Sequence, residues 1–285
     1  MGLVRFVYNC PVIFNYYLLV KKCELCKRTA SRHKKALLPK LKQRGYSDIR
    51  SLYRAIPHSN VKLIGYAIAK RLGDEGASVV ICSRKENNVQ RAVEELRKDG
   101  ITVEGVACHV GNAEQRKKLF DIANDKFGGL DILVSNAAVN PGVSPILETD
   151  ENVWDKIFEI NVKSSWLLAK EAYPNLVKRG GGSIVFISSI AAYQPMAPLG
   201  AYSVSKTTLL GLTNAIAKEV VPDNIRVNCI TSSETAKEQS LSIVPMQRFG
   251  KPSEIAAAVA FLASSDASYV TGETIVVAGG AQAHL

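Results

Sequence analysis

Residues 78–82 read SVVIC, and this apolar run decides the fold because an amphipathic stretch flanks it on each side. Gly65–Gly76 (GYAIAKRLGDEG) precedes it and puts Ile68 and Leu72 on one helical face, and Glu86–Lys98 follows it as a second helix. A strand of nearly continuous Val and Ile, without alternating polar residues, is typical of a parallel sheet that is covered on both faces.

The same alternation of strand and helix continues to the end of the chain. Further strands are predicted at Ile101–Cys108, Asp131–Val134, Ser183–Ser188, Ile225–Ile230 and Glu273–Val277. Further helices are predicted at Asn112–Phe127, Asn152–Lys178, Ala201–Val221 and Pro252–Ala263. This order predicts an α/β fold with a doubly wound parallel sheet of the Rossmann type, covered by helices on both faces.

Residues 1–60 differ in charge from the rest of the 285-residue chain. They carry 13 of the 36 Lys and Arg residues but only two of the 26 acidic residues, so the net charge of +10 belongs to this segment. The nearly neutral body therefore has no electrostatic basis for binding nucleic acid. We expect residues 1–60 to be a poorly ordered basic extension. A basic arm that binds RNA or an anionic membrane is an alternative for this segment.

The cysteines and the hydropathy pattern argue against three further classes of protein. Cys82, Cys108 and Cys229 end apolar runs, which predicts isolated, buried thiols and no disulfide framework. A single Cys-x-x-Cys at residues 23–26, with His33 nearby, lacks the second ligand pair of a zinc site, so no metal is expected. No apolar stretch reaches the 18 or so residues of a transmembrane helix, so no integral membrane span is expected.

Tyr202 and Lys206 are the most informative pair of side chains. Their i, i+4 spacing places both on one face of a predicted helix. A neighbouring ammonium favours the phenolate, and so predicts that the pKa of Tyr202 is lowered toward the range where it can exchange protons near neutral pH. Ser188 and Ser189 follow the apolar strand Ile184–Ile187, at the edge of the sheet where such folds bind ligands.

Taken together with Asn136 and Asn161, these residues resemble the short-chain dehydrogenase/reductase family over about residues 62–285. Three segments are most similar to the peroxisomal NADPH-dependent carbonyl and retinal reductases of that family, namely Cys108–Gly111 (CHVG), Ser135–Pro141 (SNAAVNP) and Tyr269–Gly280 (YVTGETIVVAGG). The resemblance implies that residues 61–285 form an NADP-binding reductase domain. It also implies a homo-oligomer that pairs through the two long helices.

The resemblance further implies a role for each site residue. Tyr202 would exchange a proton with the oxygen of a small carbonyl or alcohol substrate, such as an apolar ketone, an aldehyde or a retinoid. Lys206 would lower the pKa of Tyr202 and bond the nicotinamide ribose, Ser189 would polarise the carbonyl, and Asn161 would hold a relay water. The implied cofactor contacts are Ile64, Gly65, Ser83, Arg84, Val110, Asn136, Tyr202 and Lys206.

The end of the strand at residues 78–82 predicts which dinucleotide binds. NAD enzymes of this architecture place an acidic residue there, to bond the ribose 2′-hydroxyl. This chain instead continues with Ser83 and Arg84, which can hold a 2′-phosphate. The sequence therefore favours NADP(H) over NAD(H).

The chain departs from the family at the phosphate-binding loop. The family's TGxxxGxG becomes HSNVKLIG at residues 58–65, which keeps only Gly65, and Leu63 replaces the glycine that lets the backbone approach phosphate. Ser51–Pro57 is unsuited to the central strand because it contains Arg54 and a proline, so that strand is expected to be atypical or missing.

Two other features near the carboxyl-terminal end complete the predictions. The Pro-Gly pair and the long substrate loop of the family are absent after Ile225–Ile230. Together with the altered phosphate loop, this makes a catalytically impaired subunit partner the alternative function. Ala283-His284-Leu285 is similar to a peroxisomal import signal, which predicts a peroxisomal protein, with mitochondrial or cytoplasmic location as alternatives.

Overall fold

The central element is a single seven-stranded sheet. The computed structural model describes residues 17–21, 64–142, 144–195, 197, 199–232 and 244–281. The strands are β1 (Tyr17–Lys21), β2 (Ser78–Ser83), β3 (Val103–Ala107), β4 (Ile132–Ser135), β5 (Gly182–Ser189), β6 (Ile225–Ser232) and β7 (Thr274–Val277). Their order across the sheet is β3-β2-β1-β4-β5-β6-β7. All pairings are parallel except the two made by β1. The predicted Rossmann-type fold is therefore confirmed, with one antiparallel strand in a sheet that was predicted to be parallel.

Helices cover both faces of this sheet. They are α1 (Ile64–Asp74), α2 (Glu86–Lys98), α3 (Ala113–Phe127), α4 (Glu151–Phe158), α5 (Ser164–Lys178), α6 (Gly200–Val220) and α7 (Pro252–Ala263). Short 3₁₀ helices lie at Ile146–Glu148, Ile190–Ala192, Val221–Asp223 and Ser265–Ala267. One apolar core joins α1, α2 and α7 to one face of the sheet, and a second core joins α3, α5 and α6 to the other. The architecture is therefore doubly wound.

The packing of α2 on β3 illustrates how local sequence builds these layers. Val89 and Val93 lie on the buried face of α2, as the helical period predicts. A Cβ atom on Gly105 of β3 would come within 2.5 Å of Val89 Cγ1 and 2.6 Å of Val93 Cγ2. Glycine at this strand position therefore allows the helix to approach the sheet closely.

The central strand does not come from Ser51–Pro57, the stretch before α1. Tyr17–Lys21 (YLLVK) occupies the position instead. Leu19 and Val20 are each 1% exposed, and they pack into opposite cores of the domain. A strand inside the sheet must be apolar on both faces and free of proline. Tyr17–Lys21 meets both conditions in Leu19 and Val20, whereas Ser51–Pro57 does not.

The outcome for the N-terminal segment is therefore mixed. Five of the residues assigned to a separate basic extension at positions 1–60 belong to the same sheet as the strands of residues 78–277. The other residues of the segment lie outside the described residues, as does the Cys-x-x-Cys at 23–26 with His33. The boundary at residue 61, between the predicted extension and the predicted domain, stays a prediction.

The direction of β1 is opposite to that of its neighbours. Lys21 pairs with Ser78, the first residue of β2, and Tyr17 pairs with Cys82 near the end of β2. The chain thus leaves β1 at the amino edge of the parallel strands. Helix α1 ends at Asp74, shortly before β2 starts, so α1 begins at the opposite, carboxyl edge. Because β1 ends at the other edge, β1 and α1 are not joined by a tight turn there.

Two cysteines predicted to be isolated are in contact. Cys82, Cys108 and Cys229 are free and buried, as expected. Cys82 in β2 and Cys108, which directly follows the adjacent strand β3, share a hydrogen bond. This bond lowers the pKa of Cys108, with support from the positive charge of Arg116. Burial raises the pKa of Cys229 to about 12, so this thiol is inert near neutral pH.

Candidate active site

The carboxyl edge of the sheet, at the end of β5, holds the first candidate residue. Ser189 is the last residue of β5, and its Oγ accepts a hydrogen bond of 3.3 Å from the backbone N–H of Ala191 in the following 3₁₀ helix. This contact orients the hydroxyl at the mouth of the sheet. A hydroxyl that accepts can still donate its own proton, so Ser189 has the capacity to bond a carbonyl oxygen.

Tyr202 and Lys206 lie together on the first turns of α6. The ammonium of Lys206 is 5.8 Å from the centre of the Tyr202 ring. Lys206 is only 2% exposed, and its Nζ donates a hydrogen bond of 2.9 Å to the carbonyl oxygen of Ile187 in β5. A buried ammonium requires such partners, because burial alone disfavours the charged form. The i, i+4 spacing thus delivers a cation to the vicinity of the phenol.

Asn161 connects this pair to the loop after β4. The predicted helix Asn152–Lys178 is in fact α4 and α5 joined by a π-helical turn at Glu159–Lys163, and Asn161 is the central residue of that turn. Its Oδ1 accepts from the backbone N–H of Val139 at 2.7 Å. Its amide nitrogen donates to Val139 O at 3.1 Å and to Ser205 Oγ at 3.0 Å. Both amide protons of Asn161 are therefore used in hydrogen bonds within the protein. One lone pair of Oδ1 is left to accept a hydrogen bond from a water.

Two positions that the sequence reasoning did not assign a role also contact this site. Ser205 Oγ donates to the carbonyl oxygen of Tyr202 at 2.6 Å, which links Asn161 to the start of α6. Ser188 Oγ donates to the carbonyl oxygen of Lys206 at 2.9 Å. The doubled serine at the end of β5 was a visible signal, but spacing alone does not say which backbone group each serine meets.

The predicted cofactor contacts lie along the same edge. Ser83 ends β2 and is buried, whereas the next residue, Arg84, is exposed. Asn136 follows β4 directly and is 9% exposed. The loop after β3 carries Val110, whose carbonyl oxygen accepts a 2.6 Å hydrogen bond from the buried guanidinium of Arg116. These residues border the carboxyl ends of the four parallel strands β2, β3, β4 and β5, counting Lys206 beside β5.

His109 lies within the electrostatic influence of Arg84, and the sequence reasoning missed this residue. Burial lowers the pKa of the His109 imidazole, and the positive charges of Lys156 and Arg84 lower it further, while Glu159 opposes them. Lys156 Nζ bonds Glu159 at 2.7 Å, which lowers the pKa of that carboxyl group. Because Lys156 is paired with Glu159, the positive charge beside the end of β2 comes mainly from Arg84.

The described residues fit the two ends of a nicotinamide dinucleotide. Ser83 and Arg84 suit the adenosine end, and Tyr202 and Lys206 suit the nicotinamide ribose. The pyrophosphate would normally bind at the tight turn between a parallel first strand and α1, where the backbone N–H groups of the turn face the phosphates. Because β1 is reversed, the described part of this region consists of Ile64 and Gly65, both buried at the start of α1. The N-terminus of a helix favours phosphate, but residues 58–63 lie outside the described residues.

A small cleft lies beside Tyr202. Its walls come from the loop after β4, from α4 and from the start of α6, and they border about 190 Å³ of empty space that is partly open to solvent. The lining includes Asn140, Ser144, Thr149, Val153, Ile157 and Leu199. The loop at residues 233–243, where the family's Pro-Gly pair is absent, lies outside the described residues. The described walls therefore form one side of a candidate substrate site.

The described residues hold neither a candidate metal cluster nor a candidate membrane-spanning helix. Among them, His, Cys, Asp and Glu side chains form no group of three or more that could hold a metal ion. No helix within them is both long enough and apolar enough to cross a membrane.

The fold and the site define a class of protein. A family model described as "Enoyl-(Acyl carrier protein) reductase" matches residues 59–282, and the chain belongs to the short-chain dehydrogenase/reductase family. A solved structure, a putative short-chain alcohol dehydrogenase from Sinorhizobium meliloti 1021, is similar with a TM-score of 0.73 and 33% sequence identity. The match covers 78% of this chain and 93% of that chain.

Particular relatives within this family are more similar in sequence. Dehydrogenase/reductase SDR family member 4 of Bos taurus is 50% identical over 235 residues, which is 78% of this chain and 84% of that protein. Tropinone reductase-like 3 of Erythroxylum coca is 50% identical over 244 residues, which is 81% of this chain and 93% of that protein. The resemblance predicted from the sequence motifs is therefore confirmed, and the chain is a member of an oxidoreductase family.

Proposed function

We propose that this protein is an NADP(H)-dependent oxidoreductase that interconverts a carbonyl group and an alcohol on a small apolar substrate. The observation that carries the proposal is the buried ammonium of Lys206, held 5.8 Å from the Tyr202 ring at the end of β5. A phenol beside a fixed cation is a proton donor and acceptor, and Ser189 adds a hydrogen-bond donor at the same edge.

The chemistry of the site follows from these three side chains. In the direction of reduction, Tyr202 donates its proton to the carbonyl oxygen, and Lys206 stabilises the phenolate that forms. Ser189 donates a hydrogen bond to the same oxygen, where negative charge develops. The nicotinamide cofactor supplies the hydride when it is bound. In alcohol oxidation, Tyr202 removes the hydroxyl proton instead.

In this mechanism Asn161 acts chiefly by holding the backbone of Val139 in place with its side chain. Its side chain bonds both backbone groups of Val139, and it meets the start of α6 through Ser205. Asn161 therefore positions the loop after β4 relative to Tyr202. A relay water would be bonded by the remaining lone pair of its Oδ1.

The preference for NADP(H) rests on the charge at the end of β2. Arg84 is exposed there, and Lys156 is close enough to influence the neighbouring His109. These groups favour a bound 2′-phosphate. Apolar ketones, aldehydes and retinoids are the proposed substrates, in line with the motifs shared with NADPH-dependent carbonyl and retinal reductases.

The test combines cofactor binding with turnover. Calorimetry with NADPH, and with NADH in parallel, should give tighter binding of NADPH. Oxidation of NADPH in the presence of an aromatic dicarbonyl should fall at least about 100-fold in Tyr202→Phe, because a general acid is lost. Tyr173→Phe is the matched control, since Tyr173 is an exposed tyrosine that bonds Asp223 on the surface. A folded protein that neither binds NADPH nor turns over would refute the proposal.

The reversed direction of β1 favours a second candidate, a catalytically impaired subunit partner. The strand-to-helix turn that normally approaches the pyrophosphate is not built from β1, which would weaken cofactor binding. Helices α5 and α6 expose apolar side chains that suit pairing, namely Trp166, Tyr173, Val177 and Val204. Association of two copies, or co-purification with an active relative, would support pairing through these helices. A strictly monomeric protein that turns over NADPH would exclude this candidate.

The proposed location is the peroxisome, on the basis of Ala283-His284-Leu285, which lies outside the described residues. A fluorescent protein fused to the amino terminus of the full chain should accumulate in peroxisomes. Deletion of the three residues should release the fusion to the cytoplasm. A mitochondrial signal in the intact fusion would refute the proposal.

A further inference from the structure

Two adjacent residues of β5 bond Lys206, one at its side-chain ammonium and the other at its backbone carbonyl. The carbonyl oxygen of Ile187 accepts from Lys206 Nζ at 2.9 Å, and Ser188 Oγ donates to the carbonyl oxygen of Lys206, also at 2.9 Å. Ser188 is 3% exposed and Lys206 is 2% exposed, so neither contact is open to solvent. The lysine is thus connected to the strand through both its side chain and its backbone.

The contact made by Ser188 is additional to the hydrogen bonds of the helix. A carbonyl oxygen inside an α-helix accepts from the amide four residues later, and its second lone pair is free for another donor. Ser188 uses that lone pair at Lys206, and one residue further on, Thr207 Oγ1 donates to Ala192 O at 2.8 Å. These bonds attach one turn of α6 to the end of β5 and to the 3₁₀ helix that follows it.

A comparison with Ser203 shows that buried hydroxyls at this edge are not all used in this way. Ser203 lies one turn before Thr207 and is 1% exposed, but its Oγ has no hydrogen-bond partner among the described residues. The hydrogen bond of Ser188 is therefore specific to its position, next to Ser189 in the strand and opposite Lys206 in the helix.

We propose that Ser188 is a positioning residue, whose hydroxyl sets the distance between the Lys206 ammonium and the Tyr202 phenol by holding the backbone of Lys206 against β5. This inference rests on the proposed roles of Tyr202 and Lys206. The ammonium acts on the phenol through charge, and such an effect falls with distance. A small displacement of the Lys206 backbone therefore changes how readily Tyr202 ionises.

The experiment measures the ionisation of Tyr202 without cofactor or substrate. Tyrosinate absorbance is titrated in each variant and in the same variant carrying Tyr202→Phe, and the difference isolates Tyr202. Ser188→Ala should move the ionisation of Tyr202 to higher pH by about half a unit, which is about threefold less phenolate at a given pH. Ser203→Ala, which removes a hydroxyl with no hydrogen-bond partner among the described residues, should leave the ionisation of Tyr202 unchanged. Ser188→Thr keeps the donor and should restore it.

Two results would overturn the proposal. One is an unchanged ionisation of Tyr202 in folded Ser188→Ala, and the other is an equal change in Ser203→Ala. If Ser188→Ala does not fold, Ser188→Cys decides the question, because a thiol has a similar shape but is a weaker donor. Ser188→Cys should shift Tyr202 in the same direction, and no shift counts against the proposal. NADPH binding plays no part in this readout, so failure of the proposed function would be seen separately, by calorimetry.

Discussion

Leu19 lies directly opposite Val80 in the sheet, although the strands that carry them run in opposite directions. On its other side, Leu19 pairs with Leu133, so it sits between the two halves of the sheet. A segment from the basic N-terminal part of the chain therefore completes the core. This relationship can be tested directly.

Leu19→Ala should lower the free energy of unfolding by about 2–5 kcal/mol, because it leaves a cavity at a site that is 1% exposed. Denaturant unfolding followed by circular dichroism measures the change. Leu147→Ala is the matched control, since Leu147 is 97% exposed and its truncation should change stability by less than about 0.5 kcal/mol. Equal stability of the two variants would mean that Tyr17–Lys21 does not lie in the sheet in solution.

Gly105 and Gly211 should respond to alanine in opposite ways. A Cβ at Gly105 would lie 2.5 Å from Val89, so Gly105→Ala should cost about 1–3 kcal/mol through overpacking. Gly211 lies inside α6 with nothing within 4 Å of its added Cβ, so Gly211→Ala should stabilise the fold by up to about 1 kcal/mol. Thermal unfolding of both variants measures the difference. The close packing of α2 on β3 would be contradicted if Gly105→Ala were neutral.

Binding of NADPH should strengthen as the pH falls from about 8 to about 6. Burial and the charges of Lys156 and Arg84 hold the pKa of His109 below its usual value, and a bound 2′-phosphate would raise it. Binding is then coupled to proton uptake by His109, so lower pH favours the complex. Calorimetry at both pH values should give a several-fold change for NADPH.

The same measurement with NADH is the control, because NADH lacks the 2′-phosphate and its affinity should change little. His109→Gln should remove most of the pH dependence for NADPH. An equal pH dependence for both dinucleotides would place the responsible group elsewhere.

Glu254 should stabilise the fold in a pH-dependent way. Hydrogen bonding to Arg248 and to the backbone N–H of Lys251 lowers the pKa of this carboxyl group to about 2. The ionised form therefore adds stability above its ordinary pKa of 4.5, and that stability is lost as the pH falls from there toward 2. Because the side chain is 38% exposed, the expected contribution at neutral pH is only about 1 kcal/mol.

Urea unfolding of Glu254→Gln, compared with the unchanged protein, checks this expectation at pH values from about 7 down to about 3. The difference between the two proteins should shrink with falling pH, and salt should reduce it. Asp121→Asn removes an exposed partner of Lys117 and is the control, with little effect expected at any pH. A constant difference across the pH range would mean that the charge of Glu254 is not the source of the stability.

Much of the fold could be predicted because its signals are local. The Val and Ile content of SVVIC indicates a doubly covered strand, and the period of Glu86–Lys98 indicates its helix, wherever these elements lie in the molecule. The grouping of Tyr202, Lys206 and Ser189 was predicted in the same way, from spacing on a helix and from the end of a strand. The contact between Cys82 and Cys108 was missed, because it depends on the register of β2 against β3.

The amino-acid sequence by itself determined the family, the order of strands and helices from α1 onward, and the residue types at the candidate site. These follow from periodicity and from side-chain chemistry, which act over a few residues. Only the tertiary structure decided that Tyr17–Lys21 is an interior strand antiparallel to its two neighbours, and that Ser188 meets the backbone of Lys206. Such pairings join residues far apart in the chain, and they depend on which segment fills both cores and on the register in which neighbouring elements pack.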